Sequence, residues 1–133
     1  MKIRGVVKKH LGRGRKLGFP TANLEAPEGV EGGIYVALVH STSLPTSPRA
    51  WGEELKPALA FIGAAETFGE IQKRLEVYIF DFNRDLYGQE ISVRLLQKLR
   101  DNIKFNSQDE LIAQMKQDEI QAREFFKTYG RTE

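Results

Sequence analysis

The sequence lacks cysteine altogether, holds only two histidines and two methionines, and contains no long apolar run in its 133 residues. Without cysteine the chain can form neither a disulfide scaffold nor a cysteine-ligated zinc or iron–sulfur site, and it has no thiol nucleophile. Charged residues interrupt every apolar stretch, so none reaches the roughly 18 residues that a membrane-spanning helix needs. Residues 1–20 do not resemble a signal peptide either. We therefore expect a protein of the reducing cytoplasm that neither enters a membrane nor is exported.

The composition is that of a globular domain, with 41% hydrophobic and 29% charged residues. A domain of this length buries roughly two thirds of the surface that its unfolded chain exposes, so it can form a core without disulfides or a structural metal. No repeat, low-complexity tract or linker divides the chain. We expect one domain over residues 1–133.

Acidic residues are absent from the first 24 positions, which carry seven basic side chains. The rest of the chain holds 13 of the 20 basic residues and all 18 acidic ones, which gives it a net charge of −5. The N-terminal segment is therefore suited to an anion. The anion could be a nucleic-acid backbone, a nucleotide phosphate or the acidic remainder of the same fold.

Five segments have the residue types of strands, namely residues 2–9, 33–41, 57–63, 74–82 and 91–99. Turn residues at 83–85 predict that the last two segments form a hairpin-like unit. Because no helix lies between these segments, they indicate an antiparallel barrel or sandwich rather than an α/β sheet.

A long helix is predicted after the strands. Ser107 and Glu110 fit a capping box, and Gly130 is a plausible terminator. One face of this helix is apolar, and it consists of Leu111, Met115, Ala122, Phe125, Phe126 and Tyr129. Asp118 falls on the same face, so it needs a partner such as a salt bridge or a cap inside the fold.

Residues 12–23, GRGRKLGFPTAN, combine three glycines with three basic side chains. Backbone N–H groups and cations in such a loop can converge on a phosphate. The segment matches neither a Walker A loop nor a dinucleotide-binding fingerprint. Thr21 and Asn23 lie two residues apart, so in an extended segment both side chains could approach one ion or phosphate oxygen.

Three motifs then resemble the riboflavin kinase family, which includes the kinase domain of bacterial bifunctional FAD synthetases. GRKLGFPTANL at 14–24 resembles the family signature, and LEVYIFDFNRDLYGQEISV at 75–93 resembles the strand with the catalytic glutamate and the DLYG turn. LRDNIKFNSQDELIAQMKQDEIQAR at 99–123 resembles the closing loop and the C-terminal helix. Their order over about 120 residues makes the resemblance specific.

The resemblance implies a six-stranded antiparallel Greek-key β-barrel with a C-terminal α-helix packed on it. It implies transfer of the γ-phosphate of ATP to the 5′-hydroxyl of riboflavin, with Mg²⁺, to give FMN and ADP. Glu76 would be the general base, and its strand neighbours Tyr78 and Phe80 could build an apolar site around the flavin ring.

The resemblance also assigns residues to each substrate. Thr21 and Asn23 would hold Mg²⁺ together with the nucleotide phosphates. Nucleotide-binding positions would be Gly14, Arg15, Lys16, Pro20, Thr21, Asn23 and Tyr87. Flavin-binding positions would be Arg100, Asp101, Asn102 and Phe105, in a flap that closes over riboflavin.

The chain departs from the family pattern in three places. His10 stands where the family has a glycine, and Asn102 stands where it has a glutamate. Residues 64–68 replace an asparagine–proline–threonine–phenylalanine run and keep only Thr67 and Phe68, with Ala64, Ala65 and Glu66 before them. These departures leave open a flavin- or nucleotide-binding pseudoenzyme without kinase turnover. A third hypothesis is a small barrel that binds single-stranded nucleic acid. We expect a kinase that acts as a monomer on small molecules, with no nucleic-acid partner and, since its histidine pair is unsuited to adenylyl transfer, no FAD synthesis.

Overall fold

The computed structural model describes residues 2–8, 21–27, 29–42, 54–67, 70–82 and 86–129, with the backbone alone for 64–67 and 70–73. Four of the predicted nucleotide-binding residues, Gly14, Arg15, Lys16 and Pro20, lie outside this part of the chain. So do His10 and the predicted helix terminator Gly130. Within the described residues no helix is long and apolar enough to cross a membrane.

Six strands and one long helix make up the described fold. The strands are β1 (Lys2–Val6), β2 (Ala22–Glu25), β3 (Gly33–Ser41), β4 (Lys56–Thr67), β5 (Glu70–Ile79) and β6 (Glu90–Arg100). The helix, α1, spans Gln108–Thr128. The predicted strand segments thus fall on real strands, and β2 arises from the extended segment that carries Asn23.

The strands form a single antiparallel sheet in the order β1-β6-β3-β4-β5-β2. Strands β3, β4 and β5 follow one another, and β6 returns to pair with β3, which is the Greek-key arrangement. An isolated bridge between Lys8 and Asn23 joins the two ends of the sheet, so that the barrel is nearly closed. The prediction of a six-stranded Greek-key barrel with a C-terminal helix is confirmed.

The predicted hairpin between the segments at 74–82 and 91–99 is wrong. Both edges of β5 are occupied, one by β4 and the other by β2, so β6 has no free edge of β5 to pair with. The chain leaves β5 through Asp81, whose φ of 56° lies in the left-handed region. Aspartate tolerates this region better than most side chains. The predicted turn at 83–85 lies outside the described residues, and the strand that follows it, β6, pairs with β1 and β3 instead.

The barrel interior is filled by aliphatic side chains from every strand. Leu75, Val77 and Ile79 of β5 point inward, and each is at most 4% exposed. They pack with Ile3, Leu24, Val39, Ala58, Ile62, Ile91 and Val93 among others. Because side chains alternate along a strand, Glu76, Tyr78 and Phe80 lie on the outer face.

Helix α1 covers part of that outer face. Ser107 caps it by accepting a hydrogen bond from the Glu110 backbone N–H at 3.2 Å, while the Glu110 carboxylate accepts one from the Asn106 N–H at 3.0 Å. The glutamate thus reaches one residue further back than in the predicted capping box. Ala122 of α1 is fully buried against Leu59 and Val36 of the sheet.

Asp118 has the partner that its position on the apolar face of α1 requires. Its side chain is fully buried and accepts two hydrogen bonds from Arg100, at 2.8 and 2.6 Å, and one from Gln114 at 3.1 Å. Both carboxylate oxygens are thereby satisfied. The bidentate pair fastens the end of β6 to the middle of α1.

Candidate active site

A row of directly paired residues crosses the outer face of the barrel and carries most of the predicted site. The pairs are Lys8 with Asn23, Asn23 with Glu76, Glu76 with Phe61, Phe61 with Ile34, and Ile34 with Arg100. Directly paired side chains point to the same side of a sheet, with Cβ atoms about 5 Å apart. We call these six residues the cross-strand row. It places Asn23 and Glu76, which are 53 positions apart in the chain, side by side.

Glu76 lies at the centre of the open part of this row and is partly exposed. Asn23 flanks it on β2 and Phe61 flanks it on β4. No described residue forms a hydrogen bond or an ion pair with its carboxylate. An accessible carboxylate between an amide and an aromatic ring can accept a proton from a bound alcohol.

The other end of the row is covered. Ile34 is 4% exposed beneath the helix, and Arg100 beyond it is bound to Asp118. Glu76 and Arg100 are three strand spacings apart, which is about 14 Å. The row therefore runs from a polar, open end to a closed end where β6 meets the helix.

The aromatic residue beside Glu76 is Phe61, which sequence reasoning missed. Phe61 is partly buried against the apolar cluster under α1, but it is not covered completely. The signal was present in the segment at 57–63, where Leu59 and Phe61 alternate with the small inward-facing residues Ala58 and Ala60.

Tyr78 and Phe80 both contact side chains of helix α1. Phe80 is 7% exposed, its ring lies 6.3 Å from that of Phe126, and the Arg123 guanidinium lies 4.7 Å from its centroid. Burial, followed by a hydrogen bond to the Glu119 carboxylate, raises the pKa of Tyr78 to about 12. Helix α1 thus packs on Phe80 where a planar ligand was expected, whereas Tyr78 stays partly exposed.

The DLYG turn is held beside the end of β1. The Val7 N–H donates to the Gln89 carbonyl at 2.9 Å, and the Gly88 N–H donates back to the Val7 carbonyl at 2.9 Å. Gly88 has a φ of 82°, which glycine adopts without strain. On the other side, the Lys8 N–H donates to the Asn23 carbonyl at 2.8 Å. The half-exposed Tyr87 therefore lies in a turn about two strand spacings, or about 10 Å, from Asn23.

Thr21 directly precedes β2 and is partly exposed, like Asn23. Two residues apart on one extended segment, they share a face with Glu76 across the strand pair. The donor atoms available here are a hydroxyl, an amide oxygen and a carboxylate. Mg²⁺ prefers oxygen ligands and is usually bound by one or two protein groups together with substrate phosphates. This donor set fits that mode, and the described residues hold no group of three or more histidines and acids that would form an all-protein cage.

Segment 101–105 leaves β6 and carries the remaining predicted flavin-side residues. Lys98 binds Asp101 and Glu31, each at 2.6 Å, and its proximity holds the pKa of the Asp101 carboxyl below its usual range. Arg100 donates to the Asp101 carbonyl at 3.0 Å. Asn102 donates to the Ile62 carbonyl at 2.9 Å, and Phe105 is partly buried. Arg100, Asp101 and Asn102 thus lie together at the closed end of the row.

Basic residues near the open end have acidic partners within the fold. Lys8 pairs with Glu25 and lowers the pKa of that carboxyl, while Arg4 lies 3.9 Å from Glu90. Part of the N-terminal positive charge is therefore offset by the acidic remainder of the chain, one of the alternatives left open by its charge pattern.

Comparison with known proteins agrees with the geometry. The family model for riboflavin kinase, or flavokinase, matches residues 1–126. The chain is 41% identical over 115 residues to the bifunctional riboflavin kinase/FMN adenylyltransferase of Escherichia coli K12, covering 85% of this chain and 34% of that protein. It is 36% identical over 118 residues to the RNA-binding riboflavin kinase RibR of Bacillus subtilis, covering 87% of this chain and 47% of that protein. The chain therefore spans between a third and a half of the length of these relatives.

Solved structures give the same result for the fold. A Streptococcus pneumoniae chain described as a macrolide-efflux protein superposes with a TM-score of 0.76 at 37% identity, covering 92% of this chain and 38% of that one. Riboflavin kinase from Trypanosoma brucei superposes with a TM-score of 0.66 at 24% identity, covering 96% of this chain and 78% of that one. At this level of identity the second similarity concerns the fold alone. The paired Asn23 and Glu76, the Greek-key barrel and the match over residues 1–126 lead to one conclusion: this chain belongs to the riboflavin kinase family.

Proposed function

We propose that this chain transfers the γ-phosphoryl group of ATP to the 5′-hydroxyl of riboflavin, giving FMN and ADP. The observation that supports it best is the direct pairing of Asn23 with Glu76 on the open outer face of the barrel. This pairing puts a phosphate-binding motif and a candidate base about 5 Å apart. Phosphoryl transfer needs that proximity, because catalysis depends mostly on positioning and on charge stabilisation.

In this mechanism Glu76 accepts the proton of the riboflavin 5′-hydroxyl as its oxygen attacks the γ-phosphorus. The bond between that phosphorus and the β–γ bridging oxygen breaks, and ADP leaves with the bonding electron pair. The proton on Glu76 is then released to solvent. A carboxylate beside Phe61 is suited to this role, because the aromatic ring limits water on one side.

Asn23 and Thr21 orient the phosphates at the open end of the row. Mg²⁺, when bound by their oxygens and by the phosphates, would offset negative charge on the transferring group. We further propose that Gly14, Arg15, Lys16 and Pro20 bind the nucleotide, with Tyr87 near it. Excluding water here prevents hydrolysis of ATP in place of transfer to the alcohol.

The flavin is proposed to extend from Glu76 past Phe61 toward segment 101–105, whose Asn102 contacts the carbonyl of the neighbouring Ile62. Arg100 is held by Asp118, so its proposed contribution is to shape this end of the site. Asp101, Asn102 and Phe105 complete the flavin side.

Replacing the base separates catalysis from binding. In Glu76→Gln we expect kcat to fall by about 10²- to 10⁴-fold, while riboflavin affinity stays within about threefold of wild type. Glu124→Gln is the matched control, since Glu124 is an exposed helix residue paired with Lys127. FMN formation is followed chromatographically, and binding by quenching of riboflavin fluorescence. Undiminished turnover in Glu76→Gln would remove Glu76 as the base.

We propose a monomeric domain over residues 1–133 that acts on small molecules without nucleic acid and without FAD synthesis. Since one relative is named an RNA-binding riboflavin kinase, oligonucleotide binding is the appropriate check. Binding by the basic segment would weaken steeply with salt.

A further inference from the structure

Segment 101–105 crosses over the start of β3 to reach β4. It leaves β6 at Arg100, which is paired with Ile34 of β3, and Asn102 then donates to the carbonyl of Ile62 on β4 at 2.9 Å. The crossing point is formed by two glycines. A Cβ at Gly32 would lie 3.0 Å from the Asn102 amide nitrogen, and one at Gly33 would lie 2.7 Å from the Arg100 carbonyl oxygen. The pair of glycines thus provides the space in which the segment crosses.

The contact between Asn102 and Ile62 has a defined chemistry. A backbone carbonyl can only accept, so the side chain that meets it must donate, as an amide nitrogen does and an ionised carboxylate does not. Ile62 directly follows Phe61, and Phe61 is the row neighbour of Glu76. The hydrogen bond from Asn102 is therefore made at the residue next to Phe61, the aromatic side chain beside Glu76.

The other contacts of this segment hold it elsewhere. Asp101 is bound by Lys98 and by Arg100, which both belong to β6. Arg100 is in turn bound by Asp118 of the helix. Among the described residues, the hydrogen bond from Asn102 is the one that ties the segment to β4. Without it, the segment would be held only through its two chain ends, at β6 and at α1, and would lose its contact with Ile62.

We propose that Asn102 is a positioning residue that fixes segment 101–105 against β4 beside Phe61 and thereby sets the affinity of the site for its flavin acceptor. The assignment rests on the proposed function for the identity of the ligand. The Asn102 side chain then acts by holding the segment on strand β4. Substrate then meets a segment that is already in place, so less ordering is needed on binding.

The test replaces the donor while keeping the shape of the side chain. Asn102→Asp removes the donated hydrogen bond and sets a carboxylate against the Ile62 carbonyl. We expect the KM for riboflavin to rise about tenfold, a change that corresponds to about 1.4 kcal/mol. The KM for ATP and kcat should stay within about twofold. Asn106→Asp is the matched control, because it makes the same chemical change at an exposed residue whose described hydrogen bond, to Glu110, comes from its backbone N–H and not from its side chain.

A second readout needs no substrate. Hydrogen exchange at 101–105, together with tryptic cleavage after Lys104, should be about tenfold faster in Asn102→Asp than in wild type and unchanged in Asn106→Asp. The proposal is overturned if the two variants behave alike in exchange, or if Asn102→Asp changes both KM values and the melting temperature together, as a general structural role would.

Failure of the proposed function gives a different pattern. If wild type binds riboflavin without forming FMN, kinase activity fails, and fluorescence binding of the two variants still decides the role of Asn102. If wild type does not bind riboflavin at all, the affinity role is refuted along with the function, even where hydrogen exchange shows that Asn102 holds the segment.

Discussion

Removing the charge of Asp118 should destabilise the fold through its buried partner. Asp118 is fully buried, and the Arg100 side chain that it neutralises is only 16% exposed. In Asp118→Asn the shape is kept, but the guanidinium remains in an apolar interface without a counter-charge. The cost comes from the charge left behind rather than from the loss of a favourable pair.

The magnitude follows from that burial. Breaking a buried pair by removing one partner costs about 3–5 kcal/mol, and the partial exposure of Arg100 favours the lower value. For a domain of this size about 4 °C of melting temperature corresponds to 1 kcal/mol. We therefore expect Asp118→Asn to unfold about 12 °C below wild type and to lose about 3 kcal/mol of unfolding free energy.

Urea denaturation and calorimetry measure both quantities. The control is Asp109→Asn, in the first turn of the same helix, where the side chain is exposed and only a favourable dipole interaction of about 0.5 kcal/mol is lost. The double variant Arg100→Met, Asp118→Leu should recover much of the loss, since an apolar pair leaves no buried charge. A single Asp118→Asn variant as stable as Asp109→Asn would refute this reasoning.

Two further predictions concern Gly33 and the partly buried Tyr78. Gly33 has a φ of 147°, and an added Cβ would lie 2.7 Å from the backbone carbonyl oxygen of Arg100. Gly33→Ala should therefore lose about 2–3 kcal/mol in urea denaturation, whereas Gly63→Ala, with nothing within 4 Å, should change stability by less than about 0.5 kcal/mol; equal stabilities would contradict the steric argument. Because the folded pKa of Tyr78 is raised to about 12, its stabilising contribution is present below about pH 10 and lost as pH rises through the folded value. An absorbance titration should show a tyrosine ionising near pH 12, and this step should be missing in Tyr78→Phe; a step that persists there would assign it to another residue.

The sequence was informative where the signal is local. Alternation located the faces of β5, and the apolar stripe of α1 showed that Asp118 needed a partner. Thr21 and Asn23 could be placed on one face because an extended segment alternates. These inferences need only neighbouring residues in the chain.

Long-range pairing was beyond this reasoning. Turn residues after β5 indicate a change of direction, but they do not say that β6 inserts between β1 and β3. Whether Phe80 is free for a ligand depends on the helix that packs over it, some forty residues later. The contact between Asn102 and Ile62 joins residues 40 positions apart, and no sequence motif predicts it.

The most direct test of the central claim is turnover by the wild-type chain with riboflavin, ATP and Mg²⁺, with each component omitted in turn. The account predicts that FMN and ADP form in equal amounts, that both require ATP and the metal, and that Glu76→Gln abolishes nearly all of this product. Absence of FMN under conditions where the folded chain binds riboflavin would contradict it.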